Sequence, residues 1–371
     1  MKVMVIVGTR PELIRLSLII RKIKEHLDLR LVHTGQNYAY ELSEVFFEDL
    51  DIPKPDYYLE AAGATLAETL GNIIVKVDKV LEMEKPDAVL ILGDTNSSLS
   101  VIPAKRRKIP IFHFEAGNRC FDQRVPEEIN RKIVDHTADI NLSYSAIAKE
   151  NLLREGIPMD RVFNIGSPLF EILGHYREKV QRSDVVERLK LRERQFFVLS
   201  AHREENVDDP QRLAALVSVL HAVLDAYPYP IVFSVHPRTE QRLKDLGMDL
   251  GGRVIRSKPF SFTDYVSLQT RAFCVLSDSG TITEESSLLS FPAVNLRETH
   301  ERHEGMEKAA VMMSGFSTDR VLTAIRIATA NGRGAALDPV PDYRQESVSE
   351  KVLRIIVSYT DYVNRVVWRK A

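Results

Sequence analysis

Cysteine and tryptophan are scarce in this sequence, which has two cysteines and one tryptophan among 371 residues. Cys120 and Cys274 are far apart and fit no metal-ligand spacing, so the sequence predicts neither a disulfide framework nor a zinc module. A reducing cytoplasm is the simplest location for such a chain.

An excess of charge and long apolar runs are also missing. The formal net charge is −2, so neither a nucleic-acid-binding stripe nor an anionic-membrane surface is expected. The apolar run near the start, residues 3–7, is too short for a signal peptide, and no run approaches the roughly 18 apolar residues of a membrane span. The sequence therefore predicts no membrane role.

Common cofactor and nucleophile motifs are absent as well. No G-x-G-x-x-G follows a predicted strand; the nearest pattern, Gly332-Arg333-Gly334, is expected in a late loop. The sequence also has no P-loop and no G-x-S-x-G elbow. His300 and His303, or His113 near Glu115, are weak metal patterns without a third nearby ligand. We predict an enzyme or binding protein with no cofactor and no metal.

The chain does contain a repeated alternation of short β-rich runs and helix-period segments. Uninterrupted Val, Ile, Leu and Phe runs between helices indicate parallel strands that are buried on both faces. The runs form two series, and the length also favours two domains, so we predict an α/β protein with two doubly wound sheets. The strands are expected at 3–7, 29–34, 88–92, 109–114 and 140–143, and again at 196–200, 231–235, 254–257, 273–276 and 293–296.

Polar residues follow the predicted strands at the point where each strand ends. In open α/β sheets ligands bind beyond the carboxyl ends of the strands, so these residues are candidates for function. Acids gather in the first series, and His, Arg and a helix start gather in the second, which suits a ligand with an anionic part and a part that exchanges a proton. The segments are Gly8-Thr9-Arg10-Pro11-Glu12, Gly93-Asp94-Thr95-Asn96, Glu115-Ala116-Gly117, Ala201-His202-Arg203-Glu204, His236-Pro237-Arg238 and Ser277-Asp278-Ser279-Gly280-Thr281.

Each of these residues also has a purely structural interpretation. Asp94 would cap the helix that follows it, and Arg10 would be a surface charge. His202 would be a hydrogen-bonded core histidine, His236 would begin a helix, and the Ser279-Gly280 pair would cap one. Taken singly, the residues leave both interpretations open, whereas the whole set favours a ligand site.

These strand-end motifs, in this order, resemble the non-hydrolysing UDP-N-acetylglucosamine 2-epimerase family over essentially the whole chain. They are GTRPE near the start, GDT, EAG followed by PEE-x-NR, HRE, DSG-x(4)-EE and ER-x-E at 301–304. The resemblance implies a GT-B fold, with two Rossmann-like domains and an interdomain cleft, and a homodimer. On this basis we place the first domain at residues 1–168 with the C-terminal helix from about 358 to 371, and the second at 169–357.

A final amphipathic helix is expected at about 347–368, with Val352, Ile356 and Val363 on one side. Packing is the favoured role for such a stripe, ahead of partner or membrane binding. The resemblance implies that this helix crosses back to the first domain.

Some motifs are similar to one branch of the family, the UDP-N-acetyl-L-fucosamine synthases. They are EAGNRC followed by PEEINRKIVD, AHREENV, and HERHEGM leading into VMMSGF. The branch inverts C2 of UDP-2-acetamido-2,6-dideoxy-L-talose, which implies a role in capsule or O-antigen precursor synthesis. The alternatives are a UDP-N-acetylglucosamine/UDP-N-acetylmannosamine epimerase and, more distantly, a GT-B glycosyltransferase, a hydrolysing epimerase or a non-catalytic nucleotide-sugar sensor.

The family chemistry explains why acids are needed. The C2 proton of an N-acetylated sugar is not next to a carbonyl, so direct removal is too costly. The family instead eliminates UDP across C1–C2 to form a 2-acetamidoglycal and then re-adds UDP with the proton on the other face. This needs proton-transfer groups near the sugar and stabilisation of the departing diphosphate.

The resemblance also implies roles for particular residues. The acids surround the sugar, and His202 helps UDP leave and return; the catalytic set is Asp94, Glu115, Glu127 and His202. The substrate- and UDP-binding set is Arg10, Arg15, Gln36, Arg131, His236, Tyr265, Ser279, Gly280, Glu285 and Arg302. In that set, Arg10, Ser279, Gly280 and Arg302 are expected at the diphosphate, Glu285 at the ribose, Tyr265 at the uracil, and Arg15 and Gln36 on the sugar side.

Two neighbouring glutamates begin the helix after EAG, and helix geometry alone does not choose between them. Glu127 is four residues before Arg131, and Glu128 is four residues before Lys132. The family match favours Glu127 for catalysis, with Arg131 contacting substrate or orienting it. Glu128 is interpreted as one half of a surface ion pair.

The sequence departs from the family pattern at four positions. Arg15 stands where the GlcNAc branch has lysine, which fits the fucosamine branch. Thr281 replaces the second glycine of DSGG, and His303 replaces the proline of ERPE, which departs from both branches. Asn37 replaces a histidine near the allosteric site of the family.

Overall fold

The computed structural model describes residues 1–35, 40–201, 203–235, 237–330 and 338–370, and the chain forms two compact units. The first unit comprises Met1–His175 with Asp342–Ala371, and the second comprises Tyr176–Pro341. Residues 169–175 and 342–357, which the sequence analysis assigns to the second domain, lie in the first unit. A hydrogen bond of 2.9 Å from the Ser349 backbone N–H to Oε2 of Glu171 joins these two segments there.

The first unit is built on a parallel sheet. Its strands are β1 (Lys2–Val7), β2 (Asp28–His33), β3 (Tyr57–Tyr58), β4 (Ala88–Leu92), β5 (Ile111–Phe114), β6 (Ile140–Ser143) and β7 (Val162–Asn164). They lie in the order β3-β2-β1-β4-β5-β6-β7, with Val5 opposite Leu31 on one side and Leu90 on the other. Every residue of β4, β5 and β6 is buried, because helices cover both faces of a parallel sheet.

The helices of the first unit alternate with these strands. They are α1 (Arg10–His26), α2 (Tyr40–Asp49), α3 (Leu66–Glu84), α4 (Val101–Arg106), α5 (Pro126–Thr137), α6 (Ala146–Arg154) and α7 (Leu169–His175). Both α1 and α5 carry proline in their first turn, where the missing N–H costs no hydrogen bond. One face of the sheet packs on α3, so that Met4, Val89 and Ile111 share a core with Ile73 and Val77.

The second unit repeats the plan. Its strands are β8 (Phe197–Ser200), β9 (Ile231–Ser234), β10 (Val254–Ser257), β11 (Cys274–Ser277), β12 (Ala293–Asn295) and β13 (Met312–Met313), in the order β10-β9-β8-β11-β12-β13. Its helices are α8 (Arg177–Gln181), α9 (Val185–Arg188), α10 (Glu204–Val207), α11 (Pro210–Ala226), α12 (Pro237–Asp245), α13 (Phe262–Arg271), α14 (Ile282–Leu289), α15 (His303–Glu307) and α16 (Thr318–Thr329). The prediction of two doubly wound parallel sheets is confirmed.

The last helix, α17 (Val348–Val366), returns to the first unit and packs against α1. Its stripe of Val352, Ile356 and Val363 is fully buried, which confirms the prediction that this helix packs. Among the described residues, no helix combines the length and the apolar character needed to cross a bilayer.

Local differences from the sequence-based expectation have simple causes. The ten predicted strands all form with ends within two residues, but the edge strands β3, β7 and β13, of two or three residues, were not predicted because they are too short to show a period. Tyr176 separates α7 from α8. The charged segment at 181–194 contains α9, which buries Val185 and Val186.

Candidate active site

The candidate acids of the first unit lie at the carboxyl end of its sheet, where β1, β4 and β5 belong to one run of neighbours. Asp94 follows β4 by one residue, and Glu115 directly follows β5. Helix α5 joins this edge through Arg131, whose Nε and Nη2 donate to Oδ2 of Asp94 at 3.0 and 2.5 Å. Asn130, the preceding residue, donates to the Asp94 carbonyl at 2.9 Å. Two residues 37 positions apart are therefore brought together, and Arg131, which was expected to contact substrate or orient Glu127, holds Asp94.

Glu128 is buried, and its interpretation as half of a surface ion pair is wrong. Its side chain is 1% exposed and accepts from Nη1 of Arg131 at 3.0 Å. Its carboxylate also accepts from the backbone N–H of Cys120 at 3.0 Å and of Phe121 at 3.3 Å. Lys132 Nζ does lie 3.8 Å away, but a spacing of four residues does not tell which face of a helix is buried. Glu128 therefore fixes the loop before α5.

Glu127, in contrast, is half-buried, and one oxygen of its carboxylate has no partner among the described residues. Its Oε2 is shielded from solvent and accepts no hydrogen bond from the described residues. A buried carboxylate oxygen without a donor costs free energy, typically about 1–3 kcal/mol. Such atoms are uncommon in native proteins, and a ligand is one usual reason for them.

Glu115 has an unusual backbone conformation. Its φ is 69°, a left-handed value that non-glycine residues adopt rarely and that clusters at functional sites. Its Oε2 lies 3.8 Å from Nε of Arg15, and its Oε1 accepts from Nδ2 of Asn118 at 3.3 Å. Arg15 is 4% exposed, and its guanidinium lies 5.3 Å from the ring centre of Tyr144. The structure thus places Arg15 beside a candidate acid.

Glu12 is a residue that the site prediction missed. It is fully buried, and its carboxylate accepts from the backbone N–H of Gly8 and of Thr9 and, at 2.5 Å, from the hydroxyl of Thr95. Burial raises the pKa of Glu12 to about 7, with nearby Asp94 adding to the effect. The sequence pattern Thr-x-x-Glu at the start of α1 pointed to a capping role. It did not show that the same carboxyl also binds the loop after β4.

Arg10 stands at the start of α1 in the same unit. Burial lowers the pKa of its guanidinium, which lies 5.7 Å from the ring centre of Phe46. Gln36, His202 and His236, which the sequence analysis assigns to the site, and Asn37, at which the sequence departs from the family, lie outside the described residues.

In the second unit the segment after β11 turns directly into α14. The backbone N–H of Ser279 donates to Oγ of Ser277 at 3.0 Å, and the hydroxyls of Ser279 and Thr281 lie 3.0 Å apart. Asp278 is fully buried and accepts from the backbone N–H of Arg203 and from Nδ2 of Asn206. This ties the HRE segment to the DSG segment at the amino end of a helix, a position that favours anions.

Arg297 is a second residue that the sequence analysis missed. It follows β12, is 4% exposed, and donates from Nη1 to Oε1 of Glu301 at 2.5 Å, while its buried Nη2 has no partner among the described residues. A Cβ on Gly280 would lie 3.5 Å from Nη1 of Arg297. The rule that selects polar residues after strands would have found this arginine, had it been applied to the strand at 293–296 as well.

Three further predicted residues of the second unit, Arg302, Glu285 and Tyr265, make contacts with other side chains. Nε of Arg302 donates to Oε1 of the fully buried Glu284 at 2.8 Å, and Glu285 accepts from Nε2 of Gln269 at 2.6 Å. Tyr265 packs against a buried apolar cluster. Burial raises the pKa of its hydroxyl, and the neighbouring Glu285 raises it further.

No group of three or more His, Cys, Asp and Glu side chains within the described ranges is arranged to hold a metal ion. The candidate functional groups are carboxylates and arginines in the first unit, and buried arginines beside the amino end of a helix in the second. Two parallel-sheet α/β units with this division define a GT-B enzyme that acts on a nucleotide-linked substrate.

Comparison with known proteins specifies the family. The family model for UDP-N-acetylglucosamine 2-epimerase matches residues 21–357. The solved UDP-N-acetylglucosamine 2-epimerase of Rickettsia bellii is 51% identical with a TM-score of 0.91, and the match covers 100% of both chains. The Methanocaldococcus jannaschii UDP-GlcNAc 2-epimerase, solved in complex with UDP-GlcNAc and UDP, is 33% identical with a TM-score of 0.87, covering 96% of this chain and 100% of that one.

A relative that is named for a different substrate is about as similar in sequence as the Methanocaldococcus jannaschii enzyme. The UDP-2,3-diacetamido-2,3-dideoxy-D-glucuronate 2-epimerase of Pseudomonas aeruginosa is 34% identical over 88% of this chain and 92% of its own length. The chain therefore belongs to the UDP-N-acetylglucosamine 2-epimerase family, and it is an isomerase of UDP-sugars.

Proposed function

We propose that the protein inverts C2 of a UDP-linked 2-acetamido sugar by eliminating UDP to a 2-acetamidoglycal and adding it back. The observation that carries the proposal is the group of acids at one sheet edge. Asp94 is held by Arg131, Glu115 lies beside Arg15, and Oε2 of Glu127 accepts no hydrogen bond from the part of the chain that the structure describes.

The acids are expected to have different roles because they are held differently. Asp94 accepts two charge-assisted hydrogen bonds from Arg131, so its side chain is fixed in place and is assigned an orienting and stabilising role. Glu115 lies 3.8 Å from Arg15 and accepts a neutral hydrogen bond, from Asn118 at 3.3 Å, and Oε2 of Glu127 has no donor among the described residues. We infer that these two glutamates remove and return the C2 proton, one on each face of the sugar.

The second unit is expected to bind the departing diphosphate. The amino end of α14, with Ser279 and Gly280 before it, offers backbone N–H groups to an anion. Arg302, which bonds Glu284 of the same helix, is assigned to the diphosphate by the family motif. By the family resemblance, Arg10 is assigned to the diphosphate, Glu285 to the ribose and Tyr265 to the uracil. His202 and His236 complete the proposed UDP side.

The proposed substrate pair is UDP-2-acetamido-2,6-dideoxy-β-L-talose and UDP-N-acetyl-β-L-fucosamine, for capsule or O-antigen precursor synthesis. The support is the EAGNRC, AHREENV and HERHEGM motifs together with Arg15 in place of lysine. The second candidate pair is UDP-N-acetylglucosamine and UDP-N-acetylmannosamine, supported by the names of the relatives. Parallel assays with both nucleotides, scored by the ratio of kcat/KM, decide between the pairs.

Turnover in D2O tests the reaction itself. Elimination and re-addition place deuterium at C2 of the product, because the returning proton comes from an acid that exchanges with solvent. Product with only protium at C2 would contradict elimination. Accumulation of free UDP and free sugar would indicate a hydrolysing enzyme, and turnover only with an acceptor would indicate a glycosyltransferase. Binding of UDP-sugars without any turnover would indicate a sensor.

We also infer a homodimer in the cytoplasm, without nucleic-acid or membrane partners. The support for the dimer is the family resemblance, and the support for the compartment is that Cys120 and Cys274 are both free and buried. Sedimentation velocity at two protein concentrations tests the dimer, which predicts a mass of twice 42.2 kDa. A single species of one chain at both concentrations would contradict it.

A further inference from the structure

A fully buried ionic cluster lies behind the acid-bearing loops of the first unit. His113 in β5, Asp135 in α5 and Arg119 in the loop between them are each 0–1% exposed. Nη1 of Arg119 donates to Oδ2 of Asp135 at 2.7 Å, and Nδ1 of His113 lies 2.9 Å from Oδ1 of Asp135 without forming a hydrogen bond within the described residues. A cluster of this kind is costly to desolvate and does not by itself explain stability.

The cluster holds the backbone of both loops that carry candidate acids. Nε2 of His113 lies 2.8 Å from the carbonyl oxygen of Gly93, and since a carbonyl only accepts, this nitrogen carries the proton and donates. Asp135 accepts from the backbone N–H of Gly117, at 3.2 and 3.3 Å to its two oxygens. Gly93 immediately precedes Asp94, and Gly117 comes two residues after Glu115.

Helix α5 supplies the common frame. Arg131 and Asp135 are four residues apart, so both project from the same buried side of α5. Arg131 bonds the Asp94 side chain, while Asp135 bonds the loop of Glu115 directly and contacts the histidine that bonds the loop of Asp94. One helix face therefore holds the Asp94 side chain and the Gly117 backbone directly, and it contacts the histidine that bonds Gly93.

The other end of the cluster leads away from the acids. Arg119 donates from Nε and Nη2 to the two oxygens of Glu155 at 2.7 and 2.6 Å, and His136 Nε2 lies 2.9 Å from Oε2 of Glu155. The side chain of Glu155 is 29% exposed, and none of these bonds joins it to Gly93 or Gly117. It offers a control that weakens the same ionic cluster from the side remote from the acids.

We propose that His113 and Asp135 are positioning residues that hold the loops of Asp94 and Glu115 in the arrangement needed for proton transfer at C2. The expected loss of kcat rests on the proposed function, whereas the expected change in the loops of Asp94 and Glu115 does not. Without the bond from His113, the carbonyl of Gly93 loses this donor, and the arrangement of Asp94 then depends on its remaining bonds to Arg131 and Asn130 of α5. Displacement of a reacting group by about 1 Å can cost about a hundredfold in rate.

Two polar substitutions of His113 separate its two contacts. In His113→Gln the amide nitrogen reaches the place of Nε2 and retains a donor for the Gly93 carbonyl. In His113→Asn the shorter amide stays near the place of Nδ1, so it retains a polar contact with Asp135 and loses the one with Gly93. Glu155→Gln is the control for general loosening of the cluster.

The first measurement is hydrogen exchange of the full-length protein, read on peptides that cover residues 92–96 and 115–118. His113→Asn is expected to raise exchange about tenfold or more in the 92–96 peptide, while His113→Gln and Glu155→Gln leave it within about twofold of the wild type. Equal exchange in all the variants would overturn the proposal, whatever reaction the protein catalyses.

The second measurement separates kcat from binding. His113→Asn is expected to lower kcat about ten- to a hundredfold with the Kd for UDP within about twofold, and His113→Gln to recover most of the loss. If Glu155→Gln lowered kcat as much as His113→Asn at a similar melting temperature, the cluster would be merely structural and the proposal would be wrong. If the wild type shows no C2 exchange, the proposed function fails and the exchange measurement still decides the positioning role.

Discussion

At the scale of single residues, Glu12 shows how one carboxyl serves two loops. It caps α1 through the N–H groups of Gly8 and Thr9 and binds Thr95 after β4, all while fully buried. Because burial raises its pKa from 4.5 to about 7, the folded protein holds this proton more tightly than the unfolded chain does. The stabilisation from the bound proton is complete below the unfolded value and is lost as the pH rises through the folded value.

Glu12→Gln is therefore expected to change the pH dependence of stability. The wild type should lose up to about 3 kcal/mol relative to this variant between about pH 4.5 and about pH 7, because one pKa unit corresponds to about 1.4 kcal/mol. Urea unfolding of both proteins across this range measures the difference. Parallel stability curves for the two proteins would contradict a raised pKa of Glu12.

Substitution of Asp94, Glu115 or Glu127 is expected to lower kcat without a matching loss of UDP affinity. Asp94→Asn, Glu115→Gln and Glu127→Gln are each expected to lower kcat about a hundred- to ten-thousandfold with UDP affinity largely unchanged, the two glutamates through loss of a proton-transfer group and Asp94 through loss of an orienting and stabilising charge. Glu150→Gln, at an exposed glutamate of α6 that pairs with Arg154, is the control and should keep full activity. Kinetics and calorimetric UDP titrations provide the test, and loss of UDP affinity in proportion to kcat would assign the acids to binding.

At the scale of elements, the turn after β5 depends on a glycine. Gly117 has φ of 84°, and a Cβ there would lie 2.2 Å from the carbonyl oxygen of Ala148 in α6. Gly156 has a similar φ of 88° but open space around it. The pair therefore separates backbone strain from close packing.

Gly117→Ala is expected to cost more than about 3 kcal/mol of unfolding free energy, because strain and a backbone clash add. Gly156→Ala should cost only about 1 kcal/mol, the usual cost of a left-handed conformation for alanine. Chemical denaturation of both variants checks the difference. Equal losses would mean that α6 moves away without cost.

At the scale of the whole molecule, the chain returns to its starting unit. Helix α17 packs on α1, so residues near both ends of the sequence share one core. Ile356 is fully buried there, whereas the adjacent Val357 is 51% exposed.

Ile356→Ala is expected to cost about 2–5 kcal/mol, the usual range for removing a buried isoleucine side chain. Val357→Ala should stay within about 0.5 kcal/mol. Hydrogen exchange should rise in α1 as well as in α17 for the first variant and in neither helix for the second. Increased exchange confined to α17 would show that α1 does not depend on this contact.

Much of the fold could be predicted because parallel sheets leave strong local patterns. Runs such as 88–92 and 140–143 coincide with β4 and β6, since strands buried on both faces must be apolar throughout. Strands of two or three residues, such as β3 and β13, show no period and could not be predicted. Part of the site could be predicted because polar residues follow strands. This rule selected Asp94, Glu115 and the segment that contains Glu12, but it gave Glu12 no role and did not reach the helical Asp135.

The sequence by itself determined the two doubly wound sheets, the family, and the polar segments at the strand ends, because these depend on residue type and short-range order. Only the tertiary structure decided which glutamate of the pair at 127–128 is buried and paired, that Glu12 bridges two loops, and that α5 holds both acid-bearing turns. These are contacts between residues far apart in the chain. They depend on which face of a helix meets the sheet, and spacing along the sequence does not specify that face.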